Sequence, residues 1–360
     1  MRALVLRFSA IGDVSLILPA VLKVLELNPL LEVTLVSKPF FAPLFSEIPR
    51  LQFFGVDLSE YSGIGGLTRL SQLLYRKIEP DLYLDLHDSL RSNLIGLYML
   101  ISGVKTFHID KGRAQKKELT RKRNKVLKPL KHTVSRYLDV FSTAGLKVPN
   151  GSVLSGLEDS GVEFARCLPA GFSKVANPGL EGTVRIGFAP FAGLPLKELP
   201  IYKGAELVSA LLEKYPKLDL VFFAARSDEP RLNQLIRDAS AKQGAGPGQT
   251  LELATGVAPG LDSELRLIAS LDLMISMDSA NLHFAALCGI RVMGIYGTTH
   301  PYLGFAPYGQ ERTGTFGHNT LPCRPCTVYG KGVCYRGDFA CMNDLSISSM
   351  LDKVADQLEN

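Results

Sequence analysis

Asp13 is the first residue of the chain whose type and position suggest chemistry. It lies in residues 7–14, RFSAIGDV, between an apolar run at 3–6 that predicts a buried strand and a helical pattern at 14–27. Ligands of open α/β sheets bind beyond the carboxyl ends of the strands, so a carboxylate in this turn faces a ligand site and not the core. Such a carboxylate could act as a general base. Aspartate is also a common helix cap, and the local pattern alone favours the cap.

A second turn of this kind lies at residues 277–286, MDSANLHFAA, where a buried strand meets a helix. The amino terminus of a helix presents free N–H groups and a partial positive charge, so it can hold a phosphate. The hydroxyl of Ser279 would add a further polar group. Capping by Asp278 and internal packing of His283 are the alternatives, and for His283 packing is the favoured one.

Charged residues at two other turns in the same half of the chain could complete a nucleotide site. Lys197 lies in the loop at residues 188–200, just before a helix, where an ammonium group could neutralise a diphosphate leaving group. Asp228 and Glu229 follow the next strand, where a carboxylate could accept hydrogen bonds from a ribose. Ordinary capping of the following helix explains these two acids equally well.

Four of the six cysteines cluster near the end of the chain, at Cys323, Cys326, Cys334 and Cys341. Their spacing, C-x2-C-x7-C-x6-C, could form a tetrahedral structural zinc site, although the second pair is wider than in ordinary zinc ribbons. Free thiols in a packed loop are the alternative in a reducing compartment.

Strand and helix patterns alternate along the chain, which predicts α/β domains with parallel sheets. The length of 360 residues suits two domains. We predict an N-terminal domain at residues 1–170, a linker at 171–183, a C-terminal domain at 184–345 and a final helix at 346–360.

The charge of the chain is concentrated in one segment. The formal net charge is +5, yet residues 111–131 hold ten Lys or Arg and a single acid, Glu118. Such a run forms either a solvated face or an electropositive lip for an anionic partner. It lacks the aromatic residues of a base-stacking surface, so we expect no nucleic-acid partner.

Several motifs are absent from the sequence. No G-x-G-x-x-G follows the first strand and no G-x-x-x-x-G-K-[ST] occurs, which disfavours dinucleotide oxidoreductases and P-loop NTPases. No Asp-x-Asp occurs either, so we expect no divalent metal on a nucleotide diphosphate. The sequence shows no secretory signal and no apolar run of about 18 residues, and we expect a cytoplasmic protein.

Taken together, these stretches resemble the heptosyltransferases of glycosyltransferase family nine, which transfer heptose from ADP-heptose to the inner core of lipopolysaccharide. The resemblance covers nearly the whole chain. The motifs that carry it, together with the cysteine cluster, are residues 7–14, 85–92, 132–137, 197–200, 278–286 and 294–301.

This resemblance implies a GT-B fold, in which two Rossmann-like domains with parallel sheets face an interdomain cleft and the last helix returns to the first domain. It implies an inverting, metal-independent transfer that requires no cofactor, with Asp13 as the general base. The implied binding residues for an ADP-sugar donor are Lys197, Asp228, Glu229, Asp278, Ser279, Ala280 and His283. Those for an anionic, lipid-linked saccharide acceptor are Ser9, Gly12, His87, Arg91, Arg113, His132 and Arg136.

Two residues depart from the family pattern, and both bear on the donor sugar. Ala280 stands where many members have glycine, and Leu199 stands where a tryptophan is usual.

We further expect a monomer in peripheral contact with the cytoplasmic face of the inner membrane. A non-catalytic nucleotide-sugar or glycan-binding protein and a GT-B-type nucleotide-sugar epimerase are the alternative functions.

Overall fold

The computed structural model describes residues 1–149 and 182–359. The predicted linker at 171–183 falls almost entirely outside the described residues, as does Cys167.

The described chain divides into two compact units. The first unit comprises residues 1–113 and 131–149, and the second comprises residues 114–130 and 182–359.

The first unit is built on a sheet of five parallel strands in the order β3-β2-β1-β4-β5. The strands are β1 (Arg2–Leu6), β2 (Glu32–Ser37), β3 (Leu51–Gly55), β4 (Leu82–Asp85) and β5 (Lys105–His108). The helices in this part of the chain are α1 (Ile11–Ser15), α2 (Ile17–Leu27), α3 (Gly63–Ile78), α4 (Leu90–Ile101), α5 (Arg113–Leu119) and α6 (Thr133–Thr143).

Strand β1 occupies the centre of this sheet. Residues 3–6 are apolar and fully buried, as expected of a parallel strand that is covered by helices on both faces. Leu6 lies in register with Val36 of β2 and Asp85 of β4. The residues that follow β1 and β4 therefore emerge side by side at the carboxyl edge of the sheet.

The second unit is built on six parallel strands in the order β11-β10-β9-β6-β7-β8. The strands are β6 (Val184–Ala189), β7 (Leu218–Phe222), β8 (Gln249–Leu253), β9 (Leu273–Met277), β10 (Arg291–Tyr296) and β11 (Thr315–Gly317). Its helices are α7 (Ile201–Lys214), α8 (Glu229–Lys242), α9 (Ala254–Val257), α10 (Leu261–Ala269), α11 (Ala280–Leu287), α12 (Ala340–Asn343) and α13 (Ile347–Glu359).

Both sheets have the Rossmann-like arrangement in which the strand order reverses at the first strand. In the first unit β1 lies between β2 and β4, and in the second unit β6 lies between β7 and β9. Ligands of such sheets bind outside the carboxyl ends of the strands at this reversal. The topology therefore points to the turns that follow β1, β4, β6 and β9.

The last helix, α13, packs on the second unit, and its return to the first domain stays a prediction. Met350 and Val354 are fully buried in the hydrophobic core of the second unit, where α13 contacts α7, β9 and β10. Arg291 of β10 also donates to the carbonyl of Gln357 at 3.0 Å. The apolar face of this helix therefore covers the six-stranded sheet of the second unit.

The basic segment at residues 114–130 also belongs to the second unit, although the predicted boundary placed it in the first domain. The N–H of Leu130 donates to the carbonyl of Tyr302 at 2.9 Å. Residues 111–113 of the same charged run stay with the first unit. The run therefore does not form one continuous lip on a single domain.

Within residues 1–149 and 182–359, none of the helices combines the length and the apolar composition that a membrane crossing requires.

Candidate active site

Arg7 and Asp13 form an ion pair just beyond the carboxyl end of β1. The guanidinium lies 2.8 Å from the carboxylate, and the side chains are only 6% and 19% exposed. The backbone N–H of Ala10 donates to the same carboxylate at 3.3 Å. Asp13 therefore lies in the first turn of α1 and accepts a hydrogen bond from the residue before that helix. Asp13 is the third residue of α1 and supports the start of the helix without being its cap, which is Ala10. Its role as a general base stays a prediction.

Two further groups hold this ion pair in place. Arg7 donates to the carbonyl of Leu86, the first residue after β4. The hydroxyl of Tyr137 in α6 donates to the carbonyl of Asp13 at 2.8 Å, and the Arg7 guanidinium lies 5.7 Å from the centre of the Tyr137 ring. Burial raises the pKa of Tyr137 well above its usual value, so the hydroxyl stays a donor at ordinary pH.

The ring of His87 lies between two serine hydroxyls. Its Nε2 is 3.2 Å from Ser9 Oγ and its Nδ1 is 3.2 Å from Ser89 Oγ. Burial, and after it the positive charges of Arg7 and Lys111, lowers the pKa of His87 to about 4. The imidazole is therefore neutral near pH 7, with one nitrogen that donates and one that accepts.

Two carboxylates shape the loop that follows β4. Asp85 is fully buried, and its Oδ1 accepts from the backbone N–H groups of His87 and Asp88 at 2.7 and 2.9 Å. Asp88 adopts a positive φ of 44°, and its carboxylate pairs with Arg113 at 2.6 Å. Lys111 donates to the carbonyl of Asp88 at 3.2 Å. Asp85 thus places His87, while Asp88 brings two cations to the same edge.

This edge of the first unit is electropositive and partly desolvated. Burial lowers the pKa of Lys111, and repulsion from Arg7 lowers it further, while Asp88 and Asp13 oppose the shift. A cation that is partly removed from water gains most from an anionic ligand. Together with Arg113, these groups can hold a carboxylate or phosphate beside Asp13.

Two of the predicted acceptor residues, His132 and Arg136, make structural contacts in the first unit. His132 is fully buried, and its Nδ1 accepts from the N–H of Val134 at 3.2 Å, which caps α6. Arg136 donates to the carbonyl of Asp110 at 3.1 Å.

The loop that carries Lys111 depends on the same arginine. Gly112 has a φ of 60°, and a Cβ at this position would overlap the Arg136 guanidinium. Arg136 therefore packs against the loop that carries Lys111. Of the remaining predicted acceptor residues, Gly12 lies beside Asp13 in α1, and Arg91 is exposed in the first turn of α4.

In the second unit, Lys197 and Asp278 form an ion pair at the carboxyl edge of the sheet. The ammonium lies 3.0 Å from the carboxylate, and the side chains are 18% and 8% exposed. Lys197 ends a short 3-10 turn, and Asp278 directly follows β9. The two charged positions that the sequence suggested are therefore in direct contact.

A glycine makes room for the side chain of Lys197. Gly330 has a φ of 82°, and a Cβ at this position would overlap Cγ and Cδ of Lys197. The hydroxyl of Thr298 donates to the carbonyl of Leu196 at 2.7 Å, which ties the lysine loop to the turn that follows β10. Lys197 is thus fixed at both its backbone and its alkyl chain.

The amino terminus of α11 lies at the same edge of the sheet. Ser279 precedes this helix, and its Oγ is 3.0 Å from the Oγ of Ser276 at the end of β9. The helix begins at Ala280, so its first free N–H groups emerge next to Asp278. His283 is buried within the same helix.

Asp228 is linked to the lysine loop through an arginine. Arg231 pairs with Asp228 at 2.9 Å and with Glu198 at 2.6 Å, and its guanidinium lies 4.3 Å from the centre of the Phe191 ring. Glu229 is the first residue of α8 and is partly exposed. The structure therefore brings Lys197, Asp278, Ser279, Asp228 and Glu229 to turns at one edge of the second sheet.

The cysteine cluster lies near the buried Arg324. Burial raises the pKa of Cys341 to about 12; the Arg324 charge opposes this shift, and the other three clustered thiols add to it. Arg324 donates to the carbonyl of Gly297 at 2.6 Å. Among the residues that the structure describes, no group of three or more His, Cys, Asp or Glu side chains is arranged to hold a metal ion. The structural zinc site remains a prediction.

Residues 68–333 match the family model of glycosyltransferase family 9 (heptosyltransferase). The chain belongs to glycosyltransferase family 9. A comparison with curated protein sequences gives no match.

Solved structures share the two-domain GT-B fold of this family 9 glycosyltransferase. The E. coli ADP-heptose LPS heptosyltransferase II has a TM-score of 0.67 and 20% identity, with 100% of this chain and 99% of that chain covered. A family 9 glycosyltransferase from Veillonella parvula has a TM-score of 0.69 and 17% identity, with 99% of this chain and 97% of that chain covered. The E. coli heptosyltransferase WaaC with ADP has a TM-score of 0.63 and 17% identity, covering 99% and 100%.

Four residues of the glycosyltransferase that shape the two edges were not singled out from the sequence. They are Arg7, Lys111, Tyr137 and Gly330. A charged residue directly after a buried strand, as Arg7 is, could have been noticed, because an arginine there needs a partner. Tyr137 lies in the motif at residues 132–137, but no local pattern predicts the contacts of Tyr137 or Gly330, which come from residues distant in the chain.

We expect His87 to stay neutral down to about pH 5 and to titrate near pH 4. The pKa of His87 in the folded protein lies below the ordinary value of 6.5, so the unfolded chain binds the extra proton at a higher pH. The folded state therefore loses stability as the pH falls from about 6.5 to about 4. A histidine-selective NMR titration measures the midpoint, with His87→Gln to assign the signal. A midpoint near 6.5 for that signal would contradict the buried, cation-flanked position.

Proposed function

We propose that this glycosyltransferase is an inverting, metal-independent heptosyltransferase that transfers heptose from ADP-heptose to a lipopolysaccharide or lipooligosaccharide core acceptor. The observation that carries the proposal is the Arg7–Asp13 pair at the carboxyl end of β1 in a chain of this family. Two structures of similar fold support the donor, since one is an ADP-heptose heptosyltransferase and another was solved with ADP.

Asp13 is the general base in this proposal. Arg7 and the Ala10 N–H both contact its Oδ2, which fixes the plane of the carboxylate. Asp13 takes the proton of an acceptor hydroxyl while that oxygen forms a bond to the anomeric carbon of the heptose. The bond from this carbon to the diphosphate breaks, and ADP leaves with the electron pair. A single displacement of this kind inverts the anomeric configuration.

The donor diphosphate is held without a metal ion. Its negative charge is met by the Lys197 ammonium and by the amino terminus of α11 at Ser279 and Ala280. Asp278 keeps the ammonium in position at 3.0 Å before the donor binds, so the diphosphate competes with Asp278 for it. The Asp278 carboxylate then lies near the transferred sugar.

The remaining donor contacts follow from the neighbouring turns of the second unit. Asp228 or Glu229 accepts hydrogen bonds from the ribose, and Arg231 orients Asp228 through the pair at 2.9 Å. His283 lies one helical turn after Ser279 and supports the amino terminus of α11.

The acceptor is an anionic saccharide bound at the carboxyl edge of the first unit. Ser9, Gly12 and His87 supply polar contacts near Asp13. The charges of Arg7, Lys111 and Arg113 suit a carboxylate or phosphate on the acceptor, and Arg91 extends this surface. His132 and Arg136 contribute through the elements that they hold in place.

The setting of the reaction is part of the same proposal. The protein acts as a monomer at the cytoplasmic face of the inner membrane. The four clustered cysteines, whose thiolate donors suit zinc, hold a structural ion that takes no part in the transfer.

Replacing Asp13 by asparagine should lower turnover about 10²–10⁴-fold, because an amide cannot take the acceptor proton. The assay follows ADP release with donor and acceptor present. The Asp57→Asn variant removes an exposed carboxylate from the same unit and should retain turnover. Thermal unfolding followed by circular dichroism reports whether the Asp13 variant is folded, since ADP is expected to bind to the other unit. Turnover near the wild-type rate would remove Asp13 as the base, and conversion of donor without acceptor would favour an epimerase.

Replacing Gly330 by alanine should weaken ADP binding about 10–100-fold, because the added Cβ displaces Lys197 and a hydrogen bond to a charged group contributes about 1.5–3 kcal/mol. Gly332→Ala is a matched control, since Gly332 also has a positive φ, of 100°, but a Cβ there meets nothing within 4 Å. Calorimetry with ADP measures both variants. An equal loss of ADP affinity in both variants would show that backbone strain, and not the position of Lys197, explains the effect.

A further inference from the structure

The segment at residues 114–130 is anchored to the second unit by a lysine. Lys125 donates to the carbonyls of Cys323 and Pro325 at 2.7 and 2.6 Å. Burial lowers the pKa of Lys125, and the nearby thiols of Cys326 and Cys323 oppose the shift. This lysine is therefore used to fix the segment along the loop that contains the cysteines.

Two cation–aromatic contacts fix the part of the same segment that precedes Lys125. The ammonium of Lys122 lies 4.9 Å from the centre of the Tyr335 ring, and that of Lys116 lies 4.2 Å from the centre of the Phe305 ring. The segment and the loop at residues 323–336 thus present one shared outer surface.

That outer surface combines exposed cations with exposed apolar side chains. We call it the basic ledge and define it as residues 121–128 and 329–336, which contain no acidic residue. Val126, Leu127 and Val333 are 54%, 51% and 85% exposed. The exposed basic side chains of the ledge are Arg121, Lys122, Arg123, Lys128, Lys331 and Arg336. Two of them pair with acids just outside the ledge, Arg121 with Glu118 and Arg336 with Asp338.

We propose that the basic ledge docks on an anionic lipid surface. A solvated face has no need for branched apolar side chains, whereas a membrane interface accepts both groups. The apolar side chains enter the boundary between headgroups and acyl chains, and the long basic side chains reach the lipid phosphates. The proposed function includes peripheral contact with a membrane, and the basic ledge is the surface that we assign to this contact. The assignment rests on the charge and exposure of the ledge and not on the transfer reaction.

The same residues are poorly suited to nucleic acid. Single-stranded nucleic acid is held by aromatic faces on which bases stack. The ledge contains two exposed aromatic residues, but Lys122 covers one face of Tyr335 and the Tyr329 ring lies 6.0 Å from that of Phe305. The most exposed apolar residues of the ledge, Val126, Leu127 and Val333, are aliphatic. Charge alone would attract any polyanion, but the aliphatic side chains suit the apolar boundary of a lipid surface and gain nothing from a polyanion in water.

Helix α4 of the first unit offers an internal comparison. Leu97 and Ile101 are 52% and 79% exposed, so this helix also presents an apolar face. The helix itself carries a single basic residue, Arg91. It lacks the cluster of cations that an anionic membrane would recognise.

Sedimentation with lipid vesicles tests the proposal on the full-length protein. One set contains phosphatidylcholine alone, and the other contains equal parts of phosphatidylcholine and phosphatidylglycerol. We expect the wild-type protein to bind the anionic vesicles, to leave the neutral ones and to dissociate at high salt. Transfer to a water-soluble acceptor is assayed in parallel, so a failure of the proposed reaction is seen separately from a failure of membrane binding.

Two pairs of substitutions probe the charge of the ledge. Arg123→Glu with Lys128→Glu should weaken partitioning at least about 25-fold, because each basic residue near an anionic surface contributes about fivefold. Arg237→Glu with Lys242→Glu makes the same charge change on exposed positions of α8 and should bind as the wild type does. Transfer to the soluble acceptor should be unchanged in both double variants.

Two further pairs separate the apolar contributions. Leu127→Ser with Val333→Ser should weaken binding at unchanged charge, while Leu97→Ser with Ile101→Ser on α4 should leave it intact. The proposal is overturned by wild-type protein that does not bind anionic vesicles or prefers a short RNA to them. The proposal is also overturned if both charge-reversal double variants lose vesicle binding equally, or if only the α4 double variant loses it.

Discussion

The arrangement of the first unit depends on the buried guanidinium of Arg7. Moving a charged group out of water costs roughly several kcal/mol of folding free energy unless protein groups replace its hydrogen bonds to water. Asp13 and the carbonyl of Leu86 provide these bonds, and Tyr137 covers the guanidinium. The requirement to satisfy one cation therefore links β1, β4, α1 and α6. It also fixes the carboxylate that the proposed reaction uses, so stability and function share one interaction.

The second unit uses a related arrangement with a different cation. Lys197 is held by Asp278 at the carboxyl end of β9, and Gly330 leaves space for its alkyl chain. An ammonium group is a compact charge with rotatable donors, whereas a guanidinium is a planar fork that fixes its partner. This difference suits the proposed roles, because Asp13 must keep its orientation during proton transfer while Lys197 must exchange Asp278 for a diphosphate.

Local sequence patterns were sufficient for the parts of the site that lie on strand–turn–helix units. Asp13, His87 and Asp278 all follow buried parallel strands, and the order of apolar runs and turns places them at ligand edges. Long-range contacts were beyond such patterns. Tyr137 reaches Asp13 across 124 residues, and Lys125 reaches Cys323 across 198.

The central claim is a single displacement in which Asp13 activates the acceptor and ADP leaves the opposite face of the anomeric carbon. The anomeric configuration of the product tests this most directly. NMR coupling constants of the purified product, compared with those of the donor, should show the opposite anomer. A product that keeps the configuration of the donor would require a covalent intermediate or a different path and would contradict the account.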